Sequence, residues 1–192
     1  MTVTTRVYDS YAQAQQVVTN LEKLGVPSAD ISMIANQHVS NANPNVENAT
    51  EAGPGAGIGA AVGGGAGLLA GLGLMAIPGI GPVVAAGWLA ATAVGAAAGA
   101  ATGGLIGAMI DSGVPEDHAH VYSETVRRGG TLVTVRTTAI PAEIVSTTMN
   151  GYQPVDAAVR REEYSREGWT KFDPNAPPYT PSAAELERIR RS

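Results

Sequence analysis

Two histidines, His118 and His120, stand beside Glu116 and Asp117 in the run PEDHAH, the residue types of a divalent-metal site. On a helix, residues two apart point to different faces, whereas paired histidine ligands sit four apart on one face. The spacing therefore reads as exposed or interface histidines, and no metal ligand is assigned. His38 stands in an Asn-rich loop with no partner in the sequence. A dinucleotide fingerprint, GxGxxA, is matched at Gly55–Ala60 and again at Gly71–Ala76. That chemistry needs a strand immediately before the first glycine, and here a loop with Pro44 and Pro54 intervenes after a strand ending near Asn36. Glu162 and Glu163 are adjacent carboxylates in a charged, solvated run, a poor setting for shifted acid/base groups. No serine occupies a nucleophile elbow, and with no cysteine there is no thiol nucleophile and no thiolate metal site. No catalytic residue, cofactor site or small-molecule substrate is assigned, and the chain reads as non-enzymatic.

The distribution of charge is more informative. From Ala52 to Ile110 there is no Asp, Glu, Lys, Arg or His, so every formal charge of the 192-residue chain lies outside that block. The net charge of −5 leaves no basic face dense enough to displace counterions, which argues against a nucleic-acid partner. The strand RGGTLVTV (128–135) lacks the stacking aromatics of an RNA-binding sheet. Residues 1–30 carry no basic segment followed by an apolar run, so no secretory signal is read there.

The flanks of the block read as two halves of one domain. TVTTRVY (2–8) alternates with period two, as a strand does. Ser10 and Gln13 form a capping-box pair, Val17, Val18, Leu21 and Leu24 recur at helical spacing, Gly25 is a C′ residue, and DISMIAN (30–36) is a second strand. Such a β-α-β crossover places its two strands parallel. Beyond the block, Pro115 opens a helix with acids in its first turn and Arg127 and Arg128 in its last, matching the helix dipole. TLVTVRT (131–137) is a strand, Pro141 starts a helix ended by Gly151, and 153–159 reads as a fourth strand that Pro154 confines to an edge. The expected fold is α+β: a split ferredoxin-like α/β sandwich, with helices on one face of its sheet, interrupted by a long Gly/Ala-rich helical hairpin. Its parts are 1–37 (β-α-β), a linker 38–54, the hairpin 55–110, the second half 111–159 and a tail 160–192.

In the hairpin, Gly55, Gly59, Gly63, Gly67 and Gly71 recur every four residues. After the turn IPGIGP (77–82) the spacing returns at Ala91, Gly95, Gly99, Gly103 and Gly107. On helices such ridges let two backbones approach closely, with Gly59, Gly63, Gly67, Gly95, Gly99 and Gly103 at the expected contact. Each interior glycine costs a helix roughly 1 kcal/mol relative to alanine, and residues 55–77 contain nine. The first arm therefore needs a packing partner: the other arm, another subunit or a bilayer. Each arm is long enough to span hydrocarbon, but Glu51 and Asp111 flank the block and no positive-inside signal accompanies it.

The tail carries FDPNAPPYTP, suited to a polyproline II arm, followed by a capping-box pair, Ser182 and Glu185, before a charged helix. Two readings stand: a solvated tail, or an arm docked through Trp169, Phe172 and Tyr179.

The stretches RVYDSYAQAQQVVTNLEKLGVPSADISMIA and SGVPEDHAHVYSETVRRGGTLVTVRT, with the glycine-rich insert between them, resemble the bacterial general stress protein 17M-like family over residues 2–137. The resemblance implies a stress-associated role and carries no catalytic residue or cofactor. The expected function is non-enzymatic. The hairpin would mediate membrane insertion, in the inner membrane facing the cytoplasm, or homo-oligomerisation. Self and membrane are thus the candidate partners. The alternative is a cytoplasmic scaffold or filament-forming protein with the hairpins in its core, and a small-ligand or nucleotide sensor is the third reading.

Overall fold

The computed structural model describes residues 1–36, 73–97, 104–177, 179–180 and 182. Among these residues five strands form one antiparallel sheet, accompanied by six α-helices. The strands are β1 (Thr2–Tyr8), β2 (Ile31–Asn36), β3 (Gly73–Ile77), β4 (Gly81–Ala86) and β5 (Thr131–Thr137). The helices are α1 (Tyr11–Lys23), α2 (Trp88–Ala97), α3 (Gly104–Asp111), α4 (Glu116–Arg127), α5 (Ala142–Asn150) and α6 (Ala157–Arg166).

The sheet order is β1-β5-β2-β4-β3. β5 pairs antiparallel with both β1 and β2, so the crossover strands β1 and β2 run parallel with the last strand threaded between them. Local signals account for the first crossover. Ser10 Oγ accepts from the Gln13 amide at 3.3 Å, and Gly25 takes φ +90 while the Val26 amide reaches back to the Leu21 carbonyl at 3.0 Å. That pairing is a Schellman stop.

Every residue of β2 and the first five of β5 are buried, which requires cover on both faces. Val17, Val18, Leu21, Val145 and Met149 of α1 and α5 pack with Met33 and Val133 on one face. On the other, Leu89, Leu105, Met109 and Val126 of α2, α3 and α4 pack with Ile34 and Leu132. The expectation of helices on a single face is thus corrected, because α4 and the insertion's α2 and α3 cover the second one. Some buried polar residues are satisfied locally: Thr5 and Thr134 share a hydrogen bond at 3.1 Å, and Ser32 Oγ donates to the Ala86 carbonyl at 2.8 Å.

The Gly/Ala block also departs from a helical hairpin. The turn is where the sequence places it, but the residues around it are strands: Gly73–Ile77 pairs with Gly81–Ala86, and Val83–Ala86 pairs with Met33–Asn36 of β2. β-branched Ile77, Val83 and Val84 favour the pleated surface. Pro82 is tolerated because it lies at the start of β4, beyond the register shared with β2. The chain then enters α2 through Gly87, at φ +93, where a Cβ would lie 2.2 Å from the Ile31 carbonyl oxygen; only glycine fits. Of the zipper positions, Gly95 lies in α2 and Gly107 in α3, which pack against each other. Gly55, Gly59, Gly63, Gly67, Gly71, Gly99 and Gly103 lie outside the described residues. No described helix is long and apolar enough to cross a membrane.

Residues 153–159 do not form the expected fourth strand. Asp156 accepts from the Ala158 and Val159 amides at 2.8 and 3.0 Å and so caps α6. One backbone bond, from the Val155 amide to the Val7 carbonyl at 2.8 Å, is all that reaches β1.

Candidate assembly surface

The two margins of the sheet are built differently. On β1, the Arg6 guanidinium covers the Thr5 carbonyl at 2.8 Å, and the Val155 amide covers that of Val7. Arg6 is fixed in turn by Asn150 Oδ1 at 2.9 Å and Ser146 Oγ at 3.2 Å. Charge and local capping are the usual guards of an edge strand. β3 has neither. Its only described strand neighbour is β4, its sequence GLMAI is uncharged, and Leu74 is 60 % exposed. Met75 and Ile77 turn toward the α2 side of the sheet, and Leu74 and Ala76, on the other side, are exposed.

The hairpin is clasped at its turn by the tail. Phe172 is 4 % exposed and belongs to the core that also contains Ile77, Ile80 and Tyr164. Trp169 meets Tyr164 edge-on, with ring centroids 5.6 Å apart. Tyr179 lies beside two guanidinium groups, 5.5 Å from Arg127 and 6.0 Å from Arg128. Arg127 also donates to the Pro177 carbonyl at 3.2 Å. The three aromatic residues singled out in the tail thus lie against the domain.

A residue that the sequence reading passed over organises this contact. The Glu124 side chain is 3 % exposed and accepts from Arg127 at 3.0 Å and Arg128 at 2.7 Å. Arg128 also pairs with Glu167 and lies 4.2 Å from the Tyr164 ring. Burial works against the Arg128 cation, but hydrogen bonds to Glu167 and Glu124 outweigh it and hold the guanidinium above its ordinary value. The Tyr164 hydroxyl donates to Thr125 Oγ1, 3.1 Å away. The signal for Glu124 was its spacing, three and four residues before the arginines, which places all three on one helical face.

His118 is exposed and its ring lies 5.9 Å from that of Tyr122, whereas His120 is 3.8 Å from Glu116. Among the described residues no group of His, Asp and Glu has the makings of a metal site. The second GxGxxA match ends in β3 and not at the start of a helix, so its described part lacks the phosphate-binding turn.

The described residues define a mixed α/β protein with an antiparallel five-stranded sheet and six helices. No protein-family model, curated protein or solved structure matches the chain.

Proposed function

We infer that the chain is a non-enzymatic, stress-associated protein that assembles with copies of itself through its uncharged insertion. The observation that carries this reading is the contrast, among the described residues, between the guarded edge at β1 and the uncharged edge at β3. An unguarded antiparallel edge pairs with a second copy of itself about a two-fold axis without needing charge complementarity. The zipper glycines at 55–71 precede that edge directly in the sequence, and the stress association rests on the family resemblance alone. Membrane insertion of 55–110 as one hairpin is the weaker reading. Its turn would have to cross a bilayer, and Ile77, Ile80 and Val83 are instead core residues of the α/β domain.

Light scattering on the full chain, with Leu74→Lys as the variant, tests the reading. A lysine directed from this edge should shift the particle toward the monomer, whereas Val159→Lys, at an exposed position on α6, should leave it unchanged. A wild-type chain that is monomeric at every concentration would overturn self-assembly. Carbonate-resistant pelleting released only by detergent would favour the membrane reading instead.

A further inference from the structure

The outer edge of β1 opens onto a cavity of about 510 Å³. Tyr122 and His118 line it on the α4 side, Glu143 and Ser146 on the α5 side, and Thr5 and Arg6 between them. Alternate residues of an edge strand turn their backbone groups outward. The contacts of the Thr5 and Val7 carbonyls with Arg6 and Val155 show that Val3, Thr5 and Val7 are the outward set. Two of those three carbonyls are therefore already occupied by the chain itself. The outward amides of Val3 and Thr5, both in the cavity lining, have no described acceptor.

The edge consequently presents donors and a cation but few acceptors. A peptide strand needs donors and acceptors in alternation and fits this edge badly. A carboxylate, which only accepts, fits it well. Arg6 is already held by Asn150, Ser146 and the Thr5 carbonyl. A guanidinium has five N–H groups, so donors remain while the side chain is fixed in advance, which lowers the ordering cost of binding. Glu143 stands three residues before Ser146 on α5, roughly one turn, or about 5 Å, along the helix. A fixed cation and a carboxylate one turn apart in the same cavity complement a zwitterion. The exposed His118 ring, tilted 50° to that of Tyr122, adds an aromatic face for an aromatic group.

We propose that this cavity binds a free aromatic α-amino acid. Its carboxylate meets Arg6 and the Thr5 amide, its ammonium faces Glu143, and its ring lies against His118 and Tyr122. The site is on the opposite margin of the sheet from β3 and does not depend on self-assembly.

The test is titration of the full chain with L-phenylalanine, followed by amide NMR. Saturable shifts at Val3 and Thr5 are expected at millimolar ligand. Phenylalanine amide, which lacks the carboxylate, and hydrocinnamate, which lacks the ammonium, should each bind at least about tenfold more weakly. Arg6→Gln should abolish the response. Glu143→Gln changes an exposed side chain, and it should weaken phenylalanine while leaving hydrocinnamate unaffected. Absence of shifts in the wild-type protein, or equal binding of the three compounds, would overturn the proposal, and neither result depends on the folding of a variant.

Discussion

Phe172 closes over Gly79 so tightly that a Cβ on that glycine would lie 2.8 Å from the phenyl ring, and 2.6 Å from the Asp173 carbonyl oxygen. Gly79 also takes φ +75, so the turn of the β3–β4 hairpin and the tail are shaped to each other. Phe172→Ala removes a buried ring and should cost about 3–5 kcal/mol. Gly79→Ala should cost about 1–3 kcal/mol through overpacking and backbone strain. The double variant should lose less than the sum, because removing the ring relieves part of the clash. Urea unfolding of the three variants measures this, and strict additivity would mean that the tail does not rest on the turn.

Glu124 and Glu167 both meet Arg128 but should differ greatly in weight. Glu124→Gln leaves two guanidinium groups facing a neutral amide in a nearly buried site, and a loss of about 3 kcal/mol is expected. Glu167 is 60 % exposed, and its replacement by Gln should cost under about 1 kcal/mol. Denaturant midpoints at neutral pH separate the two. Equal effects would place the stabilisation in the charges generally and not in the buried contact.

Burial pushes the Tyr11 hydroxyl up to about 12, and raises those of Tyr8 and Tyr122 above their ordinary value as well. The folded state therefore holds protons that the unfolded chain releases near pH 10. Stability is fully present below that pH and falls as pH rises toward about 12. Tyrosinate absorbance of the folded protein should rise later than that of the urea-unfolded chain. Tyr8, whose hydroxyl donates to the Met149 carbonyl at 2.9 Å, should contribute to this slope, so Tyr8→Phe should flatten the alkaline loss.

Much of this was readable from the chain. Ser10, Gly25 and Pro141 mark boundaries that the structure keeps almost to the residue, because caps and stops act through local backbone hydrogen bonds. β5 falls on TLVTVRT without a shift. The insertion was harder to read. A glycine every fourth residue makes a helical ridge only if the backbone is already helical. Over Gly73–Ala86 that periodicity competes with β-branched residues and with an open edge on β2 that rewards strand pairing. Tertiary pairing prevailed over local spacing there. Asp156 was passed over for a related reason: Pro154 drew attention to a strand edge, while the helix cap lay two residues on. The β1 cavity was invisible, since Arg6, Tyr122 and Glu143 are distant in sequence and meet only once the sheet has formed.

The strand threaded between β1 and β2 is the last of the five to leave the ribosome. Nascent chains grow at roughly 5–20 residues per second, so β1 and β2 wait several seconds with no neighbour between them. During that interval the uncharged insertion is synthesised, and its own strands meet a β2 whose two edges are both still open. The emerging chain is thus most adhesive just before residue 131. Whatever holds nascent chains apart in the cell bears on this protein during that interval, and slow translation of residues 111–137 would lengthen it.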